Sequence, residues 1–276
     1  MPITIIHSES LSAELLQRIS EGLGAEPQAH GTHFRVEHGA VSREDLQTLR
    51  DACGVDINTL PDDFDPAGVR LLITDMDSTL ISIECVDEIA DFVGFKPQVA
   101  AITEAAMRGE LDFAASLRKR VALLEGLDVS ALQRVYDERL ELNPGAEELV
   151  AGLKSRQIKM ALVSGGFTFF TERLEARLGL DYTLANVLAE VDGKLQGRVE
   201  GAIVGAEAKA EYLQQLCEEL NITPQQVIAM GDGANDLQML GMAGLGVAYH
   251  AKPAVSAQAD VALQYRGLDA VLDFLS

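Results

Sequence analysis

The sequence predicts an α/β fold: a doubly wound parallel sheet with an inserted helical cap, preceded by a small N-terminal α/β domain. From residue 69 to 276, short apolar runs that end in polar turns alternate with helical patterns, which is typical of parallel βα units. Helical periodicity without a clear strand interrupts this alternation at about 83–142. Since a simple crossover needs only one helix, this block predicts a separate cap beside the sheet.

The first 68 residues predict a smaller unit of strands and helices. Its predicted strands lie at 3–6, 32–37 and 55–60, and its helices begin after Ser12 and Ser42. The acidic, proline-bounded stretch 61–66 predicts a linker. His30, His33 and His38 have no cysteine or acidic partner at metal-ligand spacing, so we expect them on the surface.

Residues 69–276 predict the larger domain element by element. The predicted cap helices span 86–93, 97–108, 112–124 and 130–140. The predicted strands lie at 71–74, 159–163, 182–185, 227–230 and 245–248, with helices at 146–156, 169–178 and 207–220. The residues 191–194, with Asp-Gly at their centre, predict a hairpin turn.

Composition restricts the class of partner. The chain has 22 Lys and Arg against 43 Asp and Glu, a net charge of -21, which argues against unassisted binding to nucleic acid or anionic membrane. An anionic substrate would need metal ions and a few placed cations. The widely spaced Cys53, Cys85 and Cys217 suggest free, buried thiols in a reducing compartment. Without a signal-like start or an apolar run of about 18 residues, we expect the cytoplasm.

The stretch around Asp75 and Asp77 is the most informative in the chain. The apolar run 71–74 predicts a buried strand that delivers these carboxylates to the carboxyl edge of the sheet, where α/β proteins bind ligands. Two carboxylates at i and i+2 repel each other, so a cation or a proton is expected between them. The same stretch also fits an ordinary strand-to-turn transition.

Three other strings in this domain have a chemical interpretation. After a predicted strand, 231–236 offers Asp232, Asn235 and Asp236 as oxygen ligands of the kind Mg²⁺ prefers. Ser164-Gly165-Gly166 could form a phosphate nest, and Lys209 in a first helical turn hints at a bound anion. Each string alone also fits an ordinary turn or a surface lysine.

Taken together, the strings resemble the haloacid dehalogenase-like hydrolase superfamily over about residues 70–265, and within it the phosphoserine phosphatase family. The match is carried by Glu84 and by the stretches 75–80, 86–90, 116–121, 163–167 and 231–236. The motif positions show no departure from the family pattern.

The resemblance implies roles for the residues at the sheet edge. It makes Asp75 the nucleophile that forms an aspartyl-phosphate, and Asp77 the acid and base that serves the leaving group and the water. Mg²⁺ would be held by Asp75, Asp232 and the backbone carbonyl of Asp77. The remaining assignments are Ser164, Gly165 and Lys209 for phosphate, Asn235 for substrate, and Asp236 as a support of the metal and of Lys209.

The resemblance places substrate selection in the cap. Glu84 would pair with the substrate ammonium and Arg120 would bind its carboxylate, while Met107 and Phe113 would form an apolar wall. A small-molecule substrate, O-phosphoserine, and Mg²⁺ are therefore expected. A related phosphorylated amino acid such as homoserine phosphate, or a non-catalytic amino-acid-binding protein, remain alternatives. The N-terminal 68 residues, by a looser resemblance, would support a homodimer or bind serine.

Overall fold

The computed structural model describes residues 2–107 and 110–276, and within them the chain forms two sheets. The smaller, antiparallel sheet has the strand order β2-β3-β1-β4. Its strands are β1 (Ile3–Ile6), β2 (Gln28–His30), β3 (His33–Glu37) and β4 (Ile57–Thr59), and its helices are α1 (Ala13–Leu23) and α2 (Arg43–Cys53). The hydroxyls of Ser12 and Ser42 accept hydrogen bonds from the Leu15 and Asp45 N–H groups, which confirms both predicted helix starts.

The histidine prediction is correct for His30 and wrong for His33 and His38. His30 is exposed, whereas the other two are buried. His38 Nε2 lies 2.6 Å from the Thr4 hydroxyl, and His33 Nδ1 lies 3.3 Å from a carboxylate oxygen of Asp273. Burial is tolerated because each ring meets a polar partner that the fold brings from a distant segment.

Buried polar contacts connect the small sheet to the rest of the chain. The carboxylate of Asp56 accepts hydrogen bonds from three consecutive backbone N–H groups, at residues 264–266, over 2.8–3.0 Å. Asn58 donates to the carbonyl of Ala262 and accepts from its N–H, both at 2.9 Å. The two sheets are therefore packed against each other rather than connected only through 61–66.

The larger sheet has seven strands in the order β11-β10-β9-β5-β6-β7-β8. All neighbouring strands are parallel except β8, which pairs antiparallel with β7. The strands are β5 (Leu71–Thr74), β6 (Lys159–Phe167), β7 (Tyr182–Val191), β8 (Lys194–Glu200), β9 (Val227–Gly231), β10 (Leu245–Tyr249) and β11 (Val261–Leu263). Along β5, Leu72 packs in one core while Leu71 and Ile73 pack in another, so both faces of the sheet are covered.

Helices cover the sheet and form the insertion. The cap helices are α3 (Cys85–Phe92), α4 (Lys96–Met107), α5 (Phe113–Ala122) and α6 (Ser130–Glu138), and the others are α7 (Ala146–Ser155), α8 (Thr168–Leu178), α9 (Ala206–Leu220), α10 (Leu237–Met242) and α11 (Pro253–Ser256). The fold class is thus confirmed: a doubly wound, mainly parallel sheet with a helical cap and an N-terminal α/β unit. No described helix has the length and apolar character that a membrane span requires.

Several elements differ from their prediction. β6 continues past residue 163 to Phe167, with an irregular register beside β7. Short elements without a clear periodic pattern were not predicted: β2, β11, α10, α11 and the 3₁₀ helix Leu268–Leu275. The hairpin turn is confirmed, because Asp192 and Gly193 both have positive φ (52° and 75°), as a tight β-hairpin requires.

Candidate active site

The strand order brings three separate motifs to one edge of the sheet. β5 lies between β6 and β9, so Asp75 and Asp232 directly follow two neighbouring parallel strands, and Ser164 lies in the last part of a third. In open α/β sheets the carboxyl edge near a reversal of strand order forms a ligand crevice. The site is therefore a direct consequence of the topology.

Asp75 is held by its own backbone and by Lys209. Its Oδ1 accepts a hydrogen bond from the Met76 N–H at 2.7 Å and lies 2.9 Å from the Lys209 ammonium. The side chain is almost entirely buried. Because one oxygen carries both contacts, the arrangement fixes the direction in which this carboxylate points.

Lys209 also pairs with Asp236. The ammonium lies 2.6 Å from Asp236 Oδ1, while Asp236 Oδ2 accepts the Gly233 N–H at 3.0 Å. Both side chains are completely buried. Burial favours the neutral amine, but Asp75 and Asp236 outweigh it and raise the pKa of Lys209 above its ordinary value. Lys209 is thus a fixed cation at the sheet edge.

Asp75, Asp232 and Asp236 form an acidic cluster whose ligand oxygens lie within 4.8 Å of one another. Burial, and then the proximity of Asp236, raise the pKa of Asp232 to about 6 and that of Asp75 well above its ordinary value. Three carboxylates against one lysine leave an excess of negative charge. Hard oxygen donors with excess charge fit a divalent cation.

Asp77 lies in a different environment from Asp75. It belongs to the tight turn at 76–80, where Ser78 adopts a positive φ of 56°, and its Oδ1 accepts the Cys85 N–H at 3.2 Å. Burial, and then the carboxylate of Glu84, raise the pKa of Asp77 to about 7. The Asp77 carboxylate is not part of the acidic cluster. Its backbone carbonyl as a metal ligand stays a prediction.

The Ser164-Gly165-Gly166 stretch lies in the last, irregular part of β6, beside Asp77. Ser164 is completely buried, and its Oγ accepts the Gly166 N–H at 2.8 Å. A Cβ atom on Gly166 would lie 2.9 Å from Asp77 Oδ2 and 3.0 Å from Ser164 Oγ. Glycine at 166 therefore allows Asp77 to approach this stretch closely.

The cap contributes three of the predicted site residues. Glu84 directly precedes α3, and Phe113 and Arg120 lie in α5. Ser78 donates a hydrogen bond to Glu84 Oε1 at 2.8 Å, which ties Glu84 to the turn that carries Asp77. Phe113 reaches the Ser164-Gly165-Gly166 stretch, since a Cβ atom on Gly165 would lie 2.6 Å from its Cζ. Met107 ends α4, and its side chain lies outside the described part of the structure.

Arg120 lies 4.0 Å from Asp87, a residue to which the sequence analysis gave no role of its own. Among residues 2–107 and 110–276, Arg120 Nε and Asp87 Oδ1 are buried without a hydrogen-bond partner. Such atoms are costly unless a ligand or water satisfies them. Asn235 is half-buried in the short helix Ala234–Asp236, beside the acidic cluster.

Sequence reasoning gave no role to Thr79, which is completely buried. Its hydroxyl donates to Asp232 Oδ1 at 3.1 Å and so orients one carboxylate of the cluster. The family pattern contained the Ser-Thr pair, but nothing in the spacing indicated that the second hydroxyl reaches a residue about 150 positions away.

Comparison with known proteins places this geometry in a family. The model of the haloacid dehalogenase-like hydrolases matches residues 69–244, and the chain belongs to that family of hydrolases. A phosphoserine phosphatase of Polaromonas sp. is 54% identical over 235 residues, covering 83% of this chain and all of that protein. These findings confirm the family resemblance.

Solved structures have the same fold, one of them along nearly the whole chain. The unliganded probable phosphoserine phosphatase of Vibrio cholerae has a TM-score of 0.86 at 38% identity, covering 99% of this chain and 86% of that one. A substrate-bound phosphoserine phosphatase complex has a TM-score of 0.71 at 40% identity, covering 75% of this chain and 99% of that one.

Proposed function

We propose that this chain is a Mg²⁺-dependent phosphatase that hydrolyses O-phospho-L-serine to L-serine and inorganic phosphate, the last step of serine biosynthesis. The observation that carries the proposal is the unequal environment of two neighbouring carboxylates. Asp75 is ion-paired and belongs to the acidic cluster, whereas Asp77 lies outside it with a pKa raised to about 7. Two acids with separated environments are the usual basis of divided catalytic roles.

Asp75 is the nucleophile in this proposal. Its carboxylate attacks phosphorus, the bond to the serine oxygen breaks, and an aspartyl-phosphate forms. Lys209, 2.9 Å from Asp75 Oδ1, opposes the effect of burial on the Asp75 pKa and provides a positive charge for the transferred phosphoryl oxygens. Ser164 and the N–H groups of residues 165–166 bind those oxygens from the neighbouring strand β6.

Asp77 is the general acid and the general base in this proposal. In its acid form it protonates the departing serine oxygen, and the resulting carboxylate then takes a proton from the water that hydrolyses the aspartyl-phosphate. A pKa of about 7 allows both protonation states near neutral pH. The bond from the Cys85 N–H keeps one oxygen fixed through the cycle.

The acidic cluster is the proposed magnesium site. Asp75 and Asp232 would hold the ion together with the backbone carbonyl of Asp77, and Asp236 would support Lys209. When bound, Mg²⁺ supplies positive charge that reduces repulsion between the phosphate dianion and Asp75. Thr79 would keep Asp232 oriented through its 3.1 Å hydrogen bond.

The cap is the proposed selector of the amino acid. Arg120 would exchange its distant contact with Asp87 for a bidentate contact with the substrate carboxylate, and Glu84 would receive the ammonium. Phe113, with Met107 as predicted from the sequence, would exclude water when the cap closes.

The test is initial phosphate release from L-phosphoserine, phosphothreonine, homoserine phosphate, a sugar phosphate and p-nitrophenyl phosphate, each with Mg²⁺ and with a chelator. We expect metal-dependent activity that is highest on L-phosphoserine. Metal-dependent preference for homoserine phosphate would keep the chemistry but overturn the substrate. Absence of activity on every ester would favour a non-catalytic amino-acid-binding protein.

The organisation of the whole chain remains a set of proposals. We propose a boundary near residue 68, a regulatory or dimerising role for 1–68, a cap at 83–142, and a cytoplasmic location. Light scattering on the full chain, with and without serine, tests for a homodimer. Calorimetric titration of serine into the Asp75→Asn variant tests for a second serine site, since one site per chain would exclude it.

A further inference from the structure

We propose that Asn186 is a positioning residue that joins residues 164–166, which we call the phosphate loop, to the segment before α9, and thereby builds the surface on which Phe113 closes. This inference rests on the proposed function. Asn186 lies in β7, outside every motif discussed above, and its side chain is buried, with 1% exposed.

Both polar ends of the Asn186 side chain are used. Its Nδ2 donates to the carbonyl of Gly165 at 2.8 Å, and its Oδ1 accepts the N–H of Val204 at 2.9 Å. A buried amide with two backbone partners is costly to remove, because a carbonyl and an N–H are then left unpaired. One side chain therefore fixes the distance between the phosphate loop and the segment that leads to Lys209.

The two segments that Asn186 joins are also the two that meet Phe113. A Cβ atom on Gly165 would lie 2.6 Å from Phe113 Cζ, and one on Gly205 would lie 3.3 Å from Phe113 Cδ1. We call Gly165 and Gly205 the Phe113 seat. Gly205 has φ of -118°, and Gly165 is not among the positive-φ glycines, so space for the ring, rather than backbone freedom, explains the glycines.

The hairpin that carries Asn186 also supports the cap. Gly126, in the connection between α5 and α6, donates to the Leu195 carbonyl at 2.8 Å, and the Leu195 N–H donates to Leu127 at 2.9 Å. The β7–β8 hairpin thus contacts the cap through β8 and the phosphate loop through Asn186. Closure of Phe113 and placement of the phosphate loop therefore both depend on the β7–β8 hairpin.

The first experiment compares Asn186→Leu with Asn58→Leu. Leucine has the same branched heavy-atom skeleton as asparagine but no hydrogen-bonding groups. Asn58 is an equally buried asparagine with two backbone contacts, but it lies at the junction of the sheets. We expect both variants to melt at lower temperature. Asn186→Leu should lower kcat/KM for phosphoserine about 10- to 100-fold, as small misplacements of reacting groups do, whereas Asn58→Leu should change it less than twofold. Equal kcat/KM in the two variants would overturn the inference.

A double-mutant cycle separates positioning from general destabilisation. If Asn186 acts through the Phe113 seat, the effects of Asn186→Leu and Phe113→Ala on kcat/KM are not additive, while Asn58→Leu and Phe113→Ala are additive. Additivity in both cycles would reduce Asn186 to a structural residue and overturn the inference.

A second variant approaches the seat without touching a hydrogen bond. Gly205→Ala should lower kcat/KM in the wild-type background and have little effect in the Phe113→Ala background, where the ring is gone. Gly241→Ala is the control, since a Cβ there meets no atom within 4 Å. If Gly205→Ala lowers kcat/KM equally in both backgrounds, contact of Phe113 with its seat does not explain the effect, and the inference is overturned.

The inference and the proposed function can fail separately. Calorimetric titration of inorganic phosphate with Mg²⁺ present needs no turnover and reports on the phosphate loop directly. Weaker phosphate binding by Asn186→Leu than by Asn58→Leu would support the positioning role even if phosphoserine proved not to be the substrate. Equal phosphate affinity would overturn the role even in an active phosphatase.

Discussion

Two buried clusters of charged side chains in this molecule differ in how fully the protein itself pairs their carboxylates. In the acidic cluster, the carboxylates of Asp75, Asp232 and Asp236 lie close together, and Lys209 pairs with two of them, Asp75 and Asp236. In the second, which we call the Asp273 cluster, one carboxylate meets Thr32, His7 and His33 at 2.7, 2.9 and 3.3 Å.

The pKa directions follow from this difference. Burial, with Asp236 nearby, raises the pKa of Asp232 and Asp75. Burial would also raise the pKa of Asp273, but polar contacts with His33, His7 and Thr32 outweigh it and lower that pKa below its ordinary range. The Asp273 carboxylate is satisfied by the protein itself, whereas the acidic cluster retains excess charge. An unsatisfied buried charge is expected where a ligand completes the site.

The largest expected effect is that of Asp75→Asn. Loss of the nucleophile should lower kcat on phosphoserine by on the order of 10⁴-fold or more. Stability should be unchanged or higher at pH 8, because one carboxylate of an overcharged cluster is removed. Phosphate release and thermal unfolding measure the two effects. Activity above about 1% of wild type would disprove the nucleophile assignment.

Asp77→Asn should have the next largest effect, and it should depend on the leaving group. Loss of a general acid costs roughly 10²- to 10⁴-fold. With phosphoserine, whose leaving oxygen needs a proton, we expect a loss in this range. With p-nitrophenyl phosphate, whose leaving group needs none, the first step should be much less affected.

The pH profile of the wild type sharpens this prediction. Asp77 acts as the acid only when protonated, and it is protonated below its pKa of about 7. The kcat/KM for phosphoserine should therefore decrease above about pH 7, while that for p-nitrophenyl phosphate should not. The same decrease with both substrates would contradict the acid role.

Asp273→Asn tests the other cluster. Removing the carboxylate leaves His7 and His33 without their shared partner, so the free energy of unfolding should decrease by about 1–3 kcal/mol. The kcat/KM on phosphoserine should stay within twofold. Asp63→Asn, on the exposed linker, is the control and should change neither quantity. A large loss of activity in the Asp273 variant would show that the two clusters are coupled.

The difference between the two clusters also explains which features of the structure could be predicted from the sequence. The acidic cluster was predictable because its members follow apolar strand patterns, and the carboxyl ends of parallel strands meet at one edge. The cap was predictable because four helical patterns lie between β5 and α7, where one helix would suffice. In both cases the signal is local or periodic.

The Asp273 cluster was not predictable, since its contacts have no local pattern. Thr32 and Asp273 are 241 residues apart, and the helix that carries Asp273 is a short 3₁₀ segment. His33 was consequently expected on the surface. Asn186 was not predicted for the same reason, because it is a single polar residue in a strand and its partners lie 21 and 18 residues away.

The smallest expected effect concerns metal and pH together. The pKa of Asp232 in the folded chain is about 6, above its ordinary value of about 4, so its contribution to stability is complete below about pH 4 and is lost as the pH rises through 6. A divalent cation needs the ionised form. Mg²⁺ at about 100 times its dissociation constant should therefore raise the melting temperature by about 5–10 °C at pH 8 and by less at pH 5.

Asp273, with its lowered pKa, stays ionised throughout this interval, so its charge is the same at both pH values. Asp232→Asn should remove most of the Mg²⁺ effect at both pH values, whereas Asp273→Asn should lower the melting temperature and leave the Mg²⁺ effect intact. An equal Mg²⁺ effect at pH 5 and pH 8 would mean that the excess charge of the acidic cluster is not what binds the metal.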